Sequence, residues 1–113
     1  MRLTSEIWIQ SLMRRVFADG QFAAVLRQGS PDAGAIFIRV RQRDGSETLL
    51  APAPQSHFGD SETPERSFEP RNDLSDASEI DALLESEKRF DPDLWVVEIE
   101  TEEPEHYVSV MPA

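Results

Sequence analysis

The chain has no cysteine, a single lysine (Lys88), one tyrosine and two histidines among its 113 residues. The missing thiols exclude disulfides, a thiolate nucleophile and cysteine-type zinc sites together, and fit a reducing cytoplasm. No uninterrupted apolar run approaches the ~18–20 residues of a membrane span. The N-terminal stretch MRLTSEIWIQSLMRRVF is broken by Glu6, Arg14 and Arg15, unlike the apolar core of a signal peptide. A cytoplasmic protein with no membrane partner is expected.

What is abundant is carboxylate. The formal net charge is -11, which argues against nucleic acid, whose affinity comes mainly from phosphate neutralisation. The charge is unevenly placed. Through Ser56, seven arginines outnumber five acids; from His57 on, four bases face seventeen acids. Internal pairing with an acidic solvated surface accounts for this, as does a partner that takes one of the two faces.

At this length one domain is expected, over residues 1–113, with 39% hydrophobic residues supplying a modest core. Thr4–Asp19 reads as an amphipathic helix with Thr4 or Ser5 as cap, Trp8, Leu12 and Val16 in one row, Ile9, Met13 and Phe17 in the next, and Gly20 as terminator. Phe22–Gln28 reads as a short strand. Ala35–Gln42 reads as a better one, with Ile36, Ile38 and Val40 on one face and Phe37, Arg39 and Arg41 on the other. Asp44-Gly45 is hairpin chemistry leading into Glu47–Ala51. Residues 52–73 hold four prolines and read as a long, mobile loop within the domain, with Arg66–Glu69 as a short edge strand inside it. Asp76–Phe90 reads as a second helix, capped by Asp76 and stopped at Asp91-Pro92. Leu94–Thr101 is a strong strand with Trp95, Val97 and Ile99 on one face, and His106–Val110 a final edge strand. The expected fold is α+β: a mostly antiparallel sheet, made of a three-strand meander plus a C-terminal hairpin, with two helices packed on its core face.

Several motifs invite a chemical reading. Gly29-Ser-Pro-Asp-Ala-Gly34 resembles a phosphate loop only in its glycines. It opens a β-branched run rather than a helix and has no lysine beside it. Its alternatives are an ordinary turn and a nest of backbone N–H groups that binds an anion with help from nearby arginines. Arg39 and Arg41 share a strand face, with Arg27 and Arg43 near them. They either pair with Glu47, Glu98 or Glu100 across the sheet, or form a basic stripe for an acidic partner or small anionic ligand. His57 lies near Asp60 and Glu62, and His106 near Glu102, Glu103 and Glu105. Either set offers a metal or hydrolytic centre in composition, but neither spacing matches a template and no G-x-S-x-G elbow is present. No metal or cofactor is expected. Asp91 and Asp93 flank Pro92 before Leu94-Trp95, as a helix stop or as a carboxylate pair near an aromatic ring.

Three segments, TSEIWIQSLMRRV, VLRQGSPDAGAIFIRV with LLAPAPQS, and EKRFDPDLWVVEIE, resemble a family of small alphaproteobacterial proteins catalogued as a domain of unknown function. The resemblance runs nearly end to end, and the Asp-Pro-Asp-Leu-Trp string and the Ala-Gly turn are its most specific features. Where this chain has Gly29-Ser30 the family tends to have Gly-Asp, so the resemblance implies that an acid at position 30 is dispensable. It also implies a compact bacterial cytoplasmic domain and carries over no catalytic residue.

The function expected from the sequence is a non-enzymatic binding or adaptor module that uses Arg27, Arg39, Arg41 and Arg43 on a sheet face. The alternative is a small metal-dependent or hydrolytic enzyme built on His57 or His106. A third reading is self-association, monomer to homodimer, through an edge strand at Phe22–Gln28 or His106–Val110.

Overall fold

The computed structural model describes residues 3–54, 66–74 and 76–112. Helix α1 runs Ser5–Ala18. The Thr4 hydroxyl accepts from the Ile7 N–H, Glu6 sits in the first turn and Arg15 in the last, so both ends of the helix dipole meet a compensating charge. Ile9, Leu12 and Val16 are buried. Trp8 turns onto Phe68 with ring centroids 5.5 Å apart. Helix α2 runs Ala77–Phe90, with the Asp76 carboxylate accepting from the Glu79 N–H and Ile80 and Leu84 buried.

Among the described residues, six strands form one sheet: β1 Ala23–Arg27, β2 Ile36–Arg41, β3 Glu47–Pro52, β4 Ser67–Pro70, β5 Trp95–Glu100 and β6 Ser109–Val110. Their order is β1-β5-β2-β3-β4-β6. The β2–β3 hairpin closes as its Asp-Gly turn requires, with Gln42 N–H donating to the Ser46 carbonyl at 2.8 Å.

Strand order departs from the expected meander and terminal hairpin. β5 inserts between β1 and β2, antiparallel to the first and parallel to the second. β6 does not fold back on β5. A 3-10 turn at Pro104–His106 carries the chain to the far edge, where β6 runs parallel to β4. The sheet is therefore mixed. The physical reason lies in β5 itself. Trp95, Val97 and Ile99 are buried on one face, and Val96 is buried on the other. A strand apolar on both faces belongs in the middle of a sheet.

The helices also lie on opposite faces rather than on a common one. Ile9, Leu12 and Val16 of α1 share a core with Ile36, Ile38, Val40, Leu50, Trp95, Val97 and Ile99. Ile80 and Leu84 of α2 share a second core with Phe37, Leu49, Ala51, Leu94 and Val96. The two sets alternate along β2, as the strand's two-residue period dictates. Phe37, one residue out of phase with the Ile-Ile-Val row, marks the second core. Within the stretch read as a loop, Ser67–Pro70 forms a strand interior to the sheet, flanked by β3 and β6.

Candidate functional site

The loop before β2 and the loop before β5 are interlocked by main-chain contacts. Ser30 N–H donates to the Asp93 carbonyl at 3.0 Å, and the Trp95 indole N–H donates to the Ser30 carbonyl at 2.7 Å. Gly34 has φ +115°, a region that favours glycine. A Cβ at Gly29 or Gly34 would overlap the Asp93 carbonyl oxygen, and at Gly29 it would also stand 2.7 Å from the Leu94 carbonyl carbon. The same loop holds α1: Glu6 N–H donates to the Pro31 carbonyl and the buried Ser5 hydroxyl to the Gly34 carbonyl. Glycines and prolines here weld three elements together. Asp91 accepts from the Asp93 N–H in a tight turn, so this pair of acids does structural work in the loop.

The four arginines separate into two places. Arg39, on β2, reaches across the second core to Glu47 of β3 and Asp81 of α2, with NH2 2.7 Å from Glu47 Oε1 and NH1 2.6 Å from Asp81 Oδ1. Its side chain is 12% exposed. Burial works against the Arg39 charge, but hydrogen bonds to Asp81 and Glu47 more than offset it and raise its pKa above the usual guanidinium value. Arg27, on β1, donates to the Leu94 carbonyl at 2.8 Å. Arg27 and Arg39 line a shared groove of about 180 Å³ with Leu26, Val96 and the α2 residues Leu84 and Lys88. Arg41 lies 3.5 Å from Glu47 and is 47% exposed. With Arg43, whose backbone N–H donates to the Glu102 carboxylate, it lines a separate polar cleft rimmed by Glu100 and Glu103. Of the cross-sheet partners expected for these arginines, Glu47 takes both Arg39 and Arg41.

His57 falls outside the described residues. His106 is exposed, with its Nε2 3.6 Å from Asp19. That carboxylate already accepts from the Tyr107 hydroxyl at 2.7 Å. The hydrogen bond to Asp19, with burial, pushes the Tyr107 pKa up to about 12. Among the described residues, no group of three His, Asp or Glu side chains is placed to hold a metal ion. Nor is any helix there long and apolar enough to cross a membrane.

A cleft of about 450 Å³ opens between the start of α1, residues 32–36 and the β3–β4 pair. Its walls mix Leu3, Ile36 and Phe68 with Thr4, Asp32 and Arg66. Arg66 donates to the Leu3 carbonyl at 3.0 Å. The first-turn amides of α1 are engaged as well, Ile7 by Thr4 and Glu6 by Pro31.

The feature that sequence reasoning underweighted is the free side of β1. Among the described residues, β1 ends the sheet and pairs only with β5. Phe22, Val25 and Leu26, on it or beside it, are 47%, 39% and 50% exposed. The signal lay in the sequence Phe-Ala-Ala-Val-Leu, which is apolar at every position where a half-buried strand would alternate.

A three-layer domain, with one mixed sheet between two helices and an apolar open edge, is the class that these observations define. The chain belongs to a family described as protein of unknown function (DUF1491), whose model matches residues 3–109. It is similar to the solution structure of protein Atu0922 from A. tumefaciens at 53% identity, covering 100% of this chain and 98% of that one, with a TM-score of 0.84. It is also similar to the crystal structure of a DUF1491 family protein from Caulobacter crescentus, at 32% identity over 98% and 99% of the two chains and a TM-score of 0.77. The NMR structure of a DUF1491 family protein from the same organism matches at 34% identity over 98% of each chain, with a TM-score of 0.79. None of the curated proteins matches the chain.

Proposed function

We propose that this domain is a non-enzymatic binding module, engaged at the β1 edge by an extended polypeptide segment that adds to the sheet. One observation carries the reading: an edge strand with an open ladder side stands beside a groove lined by Leu26, Arg27, Arg39, Leu84 and Lys88. Strand addition supplies main-chain hydrogen bonds, and the flanking groove selects side chains. Arg27 and Arg39 retain the binding role expected of them as the polar wall of that groove. Arg41 and Arg43, in the other cleft, stand outside it.

The test is affinity capture from native-source lysate beside a Val25→Pro variant and an Arg27→Glu variant. The reading expects a partner that the native chain retains and both variants lose. Retention by both variants would place the binding surface elsewhere. The 450 Å³ cleft favours a second reading, a small ligand with an apolar body, because its volume falls in the range of ligand pockets. A thermal-shift panel of small organic acids distinguishes the two, since only the cleft reading expects a shift that Phe68→Ala removes.

A further inference from the structure

We infer that the segment added at β1 is β1 of a second copy of this chain, antiparallel about a two-fold axis at Ala24. The inference rests on the reading of β1 as the binding edge and names its occupant.

The main-chain phase fixes how the edge is presented. Glu100 N–H donates to the Phe22 carbonyl at 2.9 Å, and Ala24 stands opposite Glu98 in the same register. In an antiparallel ladder the direction of N–H and C=O alternates. Phe22 and Ala24 therefore turn these groups toward β5, while Ala23 and Val25 turn theirs away from it, to the open side. A two-fold axis at Ala24 places each Ala23 opposite the other copy's Val25. Those two pairs exchange four backbone hydrogen bonds. Ala24 then meets itself in a non-hydrogen-bonded pair, where strands approach to about 4.5 Å between Cα atoms, and its methyl fits that approach. Phe22 meets Leu26 twice. Every pair in the seam is apolar, and the three large exposed apolar side chains of the edge are covered at once.

Charge selects a second copy of this edge over other surfaces of the chain. The chain carries -11, so two copies repel wherever their acidic surfaces meet. From Gly20 to Gln28 the only charged residue is Arg27, and its guanidinium is turned inward to the Leu94 carbonyl. The edge lacks the outward charges that usually keep strands apart. The register shift falls at Leu26, outside the Ala23–Val25 pairs that carry the hydrogen bonds, and the two-fold axis repeats it at each end of the seam. The opposite edge of the sheet is guarded: β6 has two residues and is followed by Met111, committed to the Phe68 carbonyl, and then Pro112.

The experiment measures mass by sedimentation over a wide concentration range, for the native chain and for Val25→Pro. That substitution deletes an N–H on the open side and leaves the β5 ladder intact. Ala24→Cys adds a covalent readout to a chain without cysteine, because directly opposed positions of this kind fall within the Cα separation a disulfide spans. Gln10→Cys, exposed on α1, is the control. The expected result is a native mass that rises to two chains, a Val25→Pro mass that stays at one, and Ala24→Cys cross-linking at least tenfold above Gln10→Cys. A one-chain mass throughout with equal cross-linking overturns the inference, as does a dimer that survives Val25→Pro. If the chain is monomeric yet native capture of another protein is lost in Val25→Pro, self-pairing falls and the binding edge stands. If neither dimer nor edge-dependent capture is found, both fall.

Discussion

Gly34 lies against the main chain of Asp93 so closely that a Cβ would overlap the Asp93 carbonyl oxygen. The two most distinctive strings of the sequence, the Ala-Gly turn and Asp-Pro-Asp-Leu-Trp, are thus two halves of one joint. Gly34→Ala is expected to lower unfolding stability by roughly 1–3 kcal/mol, through a left-handed φ and a backbone overlap together. Gly29→Ala should also destabilise, by overlap alone. Chemical denaturation checks both, and a change within about 0.5 kcal/mol, the range of ordinary surface substitutions, would contradict the joint.

The two cores make a prediction about additivity. Ile9→Val and Ile80→Val each remove one methylene from a fully packed site, at about 0.5–1.5 kcal/mol. With the sheet between α1 and α2 the two losses should sum to within about 0.5 kcal/mol. A coupling clearly larger than that would mean that the helices share one core after all.

Both helices, their caps and the Asp44-Gly45 hairpin were legible from the sequence because each is written locally: Thr4 and Asp76 before apolar periodicity, Asp-Gly between alternating strands. Strand order was not. Nothing in the neighbourhood of Trp95 says that this strand pairs with Ala23 on one side and Ile36 on the other, since those contacts span most of the chain. A local hint on β5 was Val96, buried between two residues of the opposite face. Phe37 gave the same hint on β2. Reading both as outward led to a single-sided sheet. The arginines show the same limit. Their shared strand face was readable, but α2 covering that face and Asp81 meeting Arg39 were not.

Arg39 offers a test of that covering. Removing it leaves Glu47, a nearly buried carboxylate, without its main cation. Arg39→Met should cost roughly 1–3 kcal/mol, below the loss for a fully buried pair because Asp81 is largely exposed. Adding Glu47→Gln should return part of the loss. A double-mutant cycle reads the coupling, and strict additivity would refute the network.

Tyr107 is the only tyrosine in the chain, so phenolate absorbance reports it alone. Its folded pKa, about 12, stands above the ordinary phenol value of 10.0. The hydrogen bond to Asp19 therefore stabilises the fold fully below pH 10 and is lost as pH rises through about 12. Asp19→Asn should move the titration back toward 10. A native titration already at the ordinary phenol value would show that the pair is not formed.

The central claim is that the open side of β1 is a binding edge closed by a second copy. Amide hydrogen exchange followed against protein concentration tests it most directly, with Ala24, whose N–H faces β5, as the internal reference. The account predicts that Ala23 and Val25 exchange fast in dilute solution and become protected as concentration rises, while Ala24 is protected throughout. Exchange at Ala23 and Val25 that stays fast at every concentration would contradict it.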